Sequence, residues 1–421
     1  MLPIQFIREN PERVQEGAFN KGEKLDVQRI LSLDRDIRTK LHEVEELKAR
    51  RNKASQEISG LKKQKLDATD IIVEMKDISA TIKNLDTEIA DLRKPLNELM
   101  IWVPNIPHES VPLGKDENDN VEIRSWGTPP EFDFKPKGHL TLGKSLGLFN
   151  FEWGSKLSGT GFPLYTGNGA KLERALINFM LDYHINNNYE ELYPPFVTLR
   201  HTLEATGQLP KLEEDMYHID DGEMFLIPTA EVPVTNIYRD DVLSEEDLPK
   251  QYVAFSPCFR REAGSYGKET RGLIRVHQFN KVELVKFVLP ESSYDELESL
   301  ILDAESIVQA LGLHYRVMEL CTGELSFAST KCYDIEVWAP GENRWLEVSS
   351  CSNFEAFQAR RANIRYRKEN GGVNFIHTLN GSGVATARLM VALLETYQNN
   401  DGTVNIPDVL QPYMQMTLLG N

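Results

Sequence analysis

Nine apolar residues of the segment 71–99, namely Ile71, Met75, Ile78, Ile82, Leu85, Ile89, Leu92, Leu96 and Leu99, alternate spacings of four and three without a miss. A 3.5-residue repeat lays all nine along one narrow stripe of an α-helix, and a stripe that long is covered by another helix. A second seven-residue register precedes it. Ile30, Ile37, Val44 and Ile58 take one seam position and Leu33, Leu47, Ala54 and Leu61 the other, with Lys40 and Arg51 as interruptions. Between the registers lies KKQKLDATD, too polar to continue a seam, so the simplest structure is an antiparallel helical hairpin reaching roughly 60 Å at 1.5 Å per residue.

Charge gives this arm a direction. The 421-residue chain has a net charge of −17, yet Lys48, Arg50, Arg51 and Lys53 on the first helix and Lys62, Lys63 and Lys65 at the tip are positive. An acidic body argues against broad nucleic-acid affinity, whereas a basic outer arm suits an RNA backbone recognised by shape and charge. A dimerisation or spacer hairpin with a solvated charged face would look the same. Hydrophobic content of 41% and charged content of 26% are those of a globular protein, with no apolar run near the roughly 18 residues of a membrane helix. The N-terminus, charged from Arg8 onward, lacks the apolar core of a secretory signal and the Arg/Ser-rich character of a transit peptide, so a cytoplasmic location is expected. Cys258, Cys321, Cys332 and Cys351 stand far apart without a ligand-spaced histidine, which argues against a disulfide framework or zinc knot.

A chain this long implies more than one core. The expected division is an N-terminal domain over 1–101, a proline-rich linker over 102–137 (WVPNIPHESVPLG, then TPPEFDFKPKG) and a larger domain over 138–421. In the last, helices are expected over 169–186, 293–311 and 386–397, among β-type runs such as YVAFSPCFR, YDIEVWAP and RWLEVSSCSNF. Short turns such as APGENR imply hairpins. The expected class is α+β, a mainly antiparallel sheet with helices on one face.

The segment CFRREAGSYGKETRGLIRVHQFNKVELV is the richest in chemistry. Arg260 and Glu262 precede a loop holding Gly264, Gly267 and Gly272; beyond it Ile274, Val276, Val282 and Leu284 share one strand parity, and Arg275, Phe279 and Glu283 the other. Two arginines can grip phosphate or carboxylate oxygens, a ring can stack on a base, and a carboxylate can accept from an amine. Cross-strand salt bridges on an open face would use the same residues. His277 shares the parity and is read as structural. In WLEVSSCSN, Glu347 and Ser349 share a face and Ser350 follows; a carboxylate beside a hydroxyl suits Mg²⁺, or simply a surface strand end. NGSGVATARLMVALLE reads as a Gly/Ser loop entering a helix on which Arg388 needs an anion, either a ligand or a core partner. IPTAEVPV places Thr229 and Glu231 on one side if extended. Neither a P-loop nor a dinucleotide-binding glycine motif occurs, so side chains on the sheet must hold any nucleotide.

Together, FRREAG, RGLIRVHQFNKVE, EVSSCSNF and NGSGVATARLMVALLE resemble motif 2, motif 3 and the intervening strand of the class II aminoacyl-tRNA synthetases, and YEELYPPFV resembles motif 1 with its proline at Pro195. With TAE at 229–231 and the helical hairpin, the chain is similar over essentially its whole length to the bacterial-type seryl-tRNA synthetases. No zinc-ligand pattern of the divergent methanogen-type branch is present. The resemblance implies that serine and ATP give seryl-adenylate, from which the terminal ribose hydroxyl of tRNA(Ser) takes the seryl group. It implies that Arg260 contacts the α-phosphate and the serine carboxylate, Glu262 the adenine amine, Phe279 the adenine face and Arg388 the γ-phosphate. Arg261, Arg275, Val276, His277 and Gln278 complete the nucleotide wall. Glu347 and Ser350 ligate Mg²⁺, flanked by Val348 and Ser349, and Arg260, Arg388 and Glu347 are the expected catalytic residues. Thr229, Ala230, Glu231, Glu283, Asn380 and Ser382, with Arg260, form the serine pocket. Glu283, roughly 13 Å beyond Phe279 by strand rise, is placed to accept the serine hydroxyl. Arg50, Arg51, Lys53, Lys62, Lys63 and Lys65 are the expected tRNA contacts. Members of the family also charge tRNA(Sec) and are homodimers whose arm reaches tRNA on the other subunit; neither membrane nor DNA is an expected partner. Two other readings carry their own marks. A carrier-protein ligase would lack or alter the arm, and a non-catalytic RNA-binding relative would have lost Arg260 or Arg388.

Overall fold

The computed structural model describes residues 1–262 and 271–420, so Gly264 and Gly267 lie outside the described residues. Two compact units are present, Met1–Phe19 with Glu23–Pro104, and Asn20–Gly22 with Asn105–Asn421.

The first unit is helical: α1 (Ile4–Glu9), α2 (Pro11–Asn20), α3 (Val27–Lys63) and α4 (Thr69–Met100). Asp26 caps α3 by accepting the Arg29 N–H at 2.9 Å, and Asp67 accepts the N–H and hydroxyl of Thr69 at 3.0 and 2.6 Å where α4 begins. Lys40 meets Glu88, Arg50 meets Glu74 and Ser55 meets Met75. The early position 40 on α3 meets the late position 88 on α4, and the later positions 50 and 55 meet 74 and 75, so the hairpin is antiparallel. Its seam buries Ile37, Val44, Ile78, Ile82, Leu85 and Ile89, with Leu41, Leu47, Leu92 and Leu96 packed beside them. Toward the tip the seam residues Ile58, Leu61, Ile71 and Met75 are only half-buried.

The second unit is built on an eight-stranded sheet. In chain order its strands are β1 (Val121–Trp126), β2 (Glu190–Leu192), β3 (Lys250–Phe259), β4 (Gln278–Val288), β5 (Tyr315–Glu319), β6 (Lys331–Ala339), β7 (Arg344–Asn353) and β8 (His377–Ala385). The spatial order is β1-β5-β6-β7-β8-β4-β3-β2, antiparallel throughout except for β2 beside β3. On β4, Val282, Leu284 and Val288 enter a core shared with the helices Gly167–Asn186, Ser293–Ala310 and Thr386–Thr396. Each such fully buried side chain contributes about 1.5–3 kcal/mol. The opposite parity carries Phe279, Lys281 and Glu283, followed by Val285 and Phe287 in a smaller core with Ala359, Ile364 and Tyr366.

Four local expectations change. Strand β1 lies within the proline-rich stretch 102–137 and pairs along β5 from Val121 opposite Glu319 to Trp126 opposite Tyr315. Strand β4 starts at Gln278 rather than Ile274, because Gly272–Ile274 is a 3₁₀ turn that Gly272 enters at φ +68°. Residues 380–383 are strand, not a loop before a helix. A Cβ on Gly381 would lie 2.8 Å from Cys351 Sγ, and one on Gly383 would lie 3.0 Å from His184 Nε2, so the missing side chains let neighbouring elements close onto β8. Thr229 and Glu231 are not extended either: Glu231 opens the short helix Glu231–Thr235, its N–H captured by the Thr229 hydroxyl at 3.2 Å. Among the described residues no helix is long and apolar enough to cross a membrane.

Candidate active site

A cavity of about 660 Å³ opens on the face of β4 that carries Phe279. Arg260, Glu262, Arg275, Val276, Phe279, Glu347, Val348, Ser350 and Arg388 line it, as do Thr229, Glu231, Asn380 and Ser382. The volume is that of an ordinary small-molecule site. Six expected residues are not on its wall. Arg261 and Gln278 are exposed, Ala230 is buried in the smaller core, and the Ser349 hydroxyl donates to the Ser382 carbonyl at 2.5 Å. His277 braces Arg260: its carbonyl accepts the Arg260 N–H at 2.9 Å, and its Nδ1 lies 3.1 Å from the Arg260 carbonyl. Glu283 is fully buried behind the wall.

On the polyphosphate-like side the cations are pre-arranged. The Arg260 guanidinium lies 5.2 Å from the Phe279 ring centroid, a cation–π pair on the cavity wall. Arg275 Nε donates to Glu262 Oε2 at 2.5 Å, and Glu262 has a left-handed backbone conformation uncommon for a residue with a Cβ (φ +51°). Arg388 is held at both ends. Its Nε donates to the Ile274 carbonyl at 3.1 Å, and its Nη1 donates to the Glu347 carbonyl at 2.8 Å and to Glu347 Oε2 at 3.1 Å. Asp334 on β6 pairs opposite Ser350. Burial and the neighbouring Glu347 charge push its carboxyl well above the usual range. Two carboxylates and a hydroxyl form a hard-oxygen donor set that fits Mg²⁺, and a cation there would relieve the repulsion between the carboxylates.

The other cluster is buried and polar. Glu283 accepts the Thr229 hydroxyl at 2.8 Å and the Asn380 amide at 3.3 Å, and forms an ion pair with Lys281. Lys281 lines the cavity and was missed, although it stands between Phe279 and Glu283 on their own parity. Gln358 and Gln208, distant in sequence, donate to the two oxygens of Glu231 at 2.7 and 3.3 Å, and no local pattern announces them.

Burial, then the Glu283 charge, pushes Glu231 up to about 7. Its folded-state pKa exceeds the unfolded value, so the native chain binds the extra proton and stability falls as pH rises from about 4.5 through about 7. The loss attributable to this group is about 3 kcal/mol. Glu231→Gln removes it, so the variant is expected to lose less stability than the parent between pH 5 and pH 8. Urea unfolding of both proteins at the two pH values measures the difference; parallel losses would show that Glu231 is ionised throughout.

Comparisons with known proteins match the chain to two family models and to proteins over its full length. The model of the seryl-tRNA synthetase N-terminal domain matches residues 1–107, and that of the tRNA synthetase class II core domain (G, H, P, S and T) matches residues 213–397. The serine–tRNA ligase of Thermodesulfovibrio yellowstonii is 54% identical, with 100% of each chain covered. The seryl-tRNA synthetase of Pyrococcus horikoshii, solved in complex with ATP, superposes with a TM-score of 0.95 at 39% identity, over 100% of this chain and 99% of that one. The cytoplasmic serine–tRNA ligase of Naegleria fowleri, solved with AMP, gives 0.89 at 29% identity, over 100% and 98%.

Proposed function

The chain belongs to the seryl-tRNA synthetases, ATP-dependent serine–tRNA ligases of class II, and from that premise we propose how its residues divide the work. Residues 138–421 carry catalysis, 1–101 bind tRNA, and 102–137 connect them while adding strand β1 to the sheet of the second unit. One observation carries the assignment: a single cavity joins the Arg260–Phe279 and Arg388–Glu347 pairs to the buried Thr229, Lys281 and Glu283 cluster.

The serine carboxylate is ionised at pH 7 and needs no general base to attack the α-phosphorus of ATP. Arg260 stabilises the charge that gathers on the α-phosphate, and Arg388, oriented by the Ile274 carbonyl, holds the departing pyrophosphate. Mg²⁺, held by Glu347 and Ser350, would supply charge neutralisation along the polyphosphate. Phe279 stacks on adenine while Glu262 accepts from its amine. The terminal ribose hydroxyl of tRNA(Ser) then takes the seryl group. By the same reading tRNA(Sec) is a second acceptor and the protein works as a homodimer. A cytoplasmic site of action is supported by four buried cysteines that all remain free thiols.

Pyrophosphate exchange with single amino acids, run with and without tRNA, tests the activity: serine alone is expected to drive it, and no tRNA is needed. Phe279→Ala is expected to weaken ATP binding by about 1–3 kcal/mol, the scale of base stacking on an aromatic ring, with the serine KM unchanged. A raised serine KM at normal ATP affinity would reassign the strand.

A further inference from the structure

We infer that His139 is a positioning residue for the ATP site, carrying its proton on Nδ1 and holding the Leu273 amide with the lone pair of Nε2. This rests on the cavity being the ATP site. His139 opens α5 (His139–Ser145) with no solvent exposure, and Nε2 accepts the Leu273 N–H at 3.3 Å. Leu273 is the middle residue of the Gly272–Ile274 turn and lines the cavity. The Ile274 carbonyl receives Arg388 Nε, and the next residue, Arg275, pairs with Glu262. One imidazole therefore stands directly behind the turn that supports both arginines.

A ring nitrogen that accepts carries no proton, so the proton is on the other one. Nδ1 makes no hydrogen bond of its own, but two carboxylate oxygens, Glu342 Oε1 at 3.1 Å and Glu395 Oε1 at 3.4 Å, face it and favour the proton there. Glu395 is itself fully buried and accepts the N–H groups of His139, Gly341 and Glu342 at 2.8, 2.9 and 3.0 Å. It stands in the last turn of the Thr386–Thr396 helix that also carries Arg388. The contacts thus close a ring, from Arg388 through Ile274 and Leu273 to His139, then by Glu395 back to the same helix. Gly272 makes room for it: a Cβ there would lie 2.2 Å from Nε2.

His139, Glu342 and Glu395 could also be taken for a metal site, since their ligand atoms lie within 4.8 Å of one another. A cation on this side would need the Nδ1 lone pair, which moves the proton to Nε2 and sets it against the Leu273 N–H. The Leu273 contact selects the proton.

Histidine-¹⁵N NMR of the full chain, with the His139 signals identified by their loss in His139→Gln, should show the Nδ1–H tautomer at pH 7 and no change on adding Zn²⁺ or Mn²⁺. The Nε2–H form, or a metal-induced shift, would overturn the inference. In pyrophosphate exchange, His139→Ala should raise the KM for ATP about 10-fold, the scale of one lost buried hydrogen bond, and leave the serine KM within about twofold. His139→Gln, whose side-chain oxygen can reach the Leu273 N–H, should recover most of the loss. If the alanine variant does not fold, His139→Asn, too short to reach Leu273, takes its place with the same expected rise. Variants that lose melting temperature while both KM values stay at the parental level would show a purely structural histidine. Phe279→Ala is measured alongside: a raised ATP KM there with none in the His139 variants overturns this inference alone, and no rise in Phe279→Ala sinks the ATP-site reading itself.

Discussion

Glu283→Ala is expected to reduce serine-dependent pyrophosphate exchange by about 1,000-fold or more and to cost about 3–5 kcal/mol of stability. The carboxylate has no solvent exposure and is the counter-charge of Lys281, itself only 6% exposed. Alanine leaves that ammonium buried without its partner and removes the acceptor for the Thr229 hydroxyl and the Asn380 amide. These three partners line the cavity, whereas Glu283 does not. We propose that Glu283 acts on serine through the Thr229, Lys281 and Asn380 groups it holds at the cavity wall. Glu283→Gln keeps the shape and one acceptor but loses the charge. Its exchange rate is expected to fall about 10- to 100-fold, with the loss in serine KM and ATP KM nearly unchanged. Both variants are to be assayed with serine and with alanine as substrate. A parental serine KM and parental preference for serine in both would leave Glu283 with no part in recognition.

Shortening the arm should separate the two half-reactions. The Lys40–Glu88 pair marks the inner hairpin, where the seam is well buried, and deletion of residues 45–82 with a short turn joining the ends preserves it. Transfer of serine to tRNA is expected to fall about 100-fold or more, a loss of only about 2.7 kcal/mol, while exchange stays within about twofold of the parent. Equal loss of both activities would make the arm a structural element. Arg50 is exposed and pairs with Glu74, Arg51 is half-buried, and Lys53, Lys62, Lys63 and Lys65 are exposed. Replacing Lys62, Lys63 and Lys65 by Gln should flatten the salt dependence of tRNA binding by up to about three phosphate contacts. An unchanged slope would remove the tip from the interface.

The arm was legible because a heptad is a local signal: each seam residue announces itself by its distance from the next, and α3 and α4 follow from two such runs. Strands β3, β4, β6 and β7 were legible from their period of two, whereas the gathering of Arg260, Phe279, Glu347 and Arg388 was implied only by the resemblance of their segments to the class II synthetases. Residues 380–383 were not. Their glycines look like a loop until Cys351 and His184 are seen pressing against them from other parts of the chain. Lys281 carried the right parity, but a lysine at 6% exposure is credible only once Glu283 is known to be beside it. Gln358 on Glu231 and Glu395 on His139 span 127 and 256 residues of sequence, separations at which no spacing rule operates. Periodicity determined the elements, and the resemblance of the motifs implied the class of ligand. Which buried charge meets which partner was decided by tertiary packing alone, because an unpaired charge is too costly inside a protein and its partner can come from anywhere in the chain.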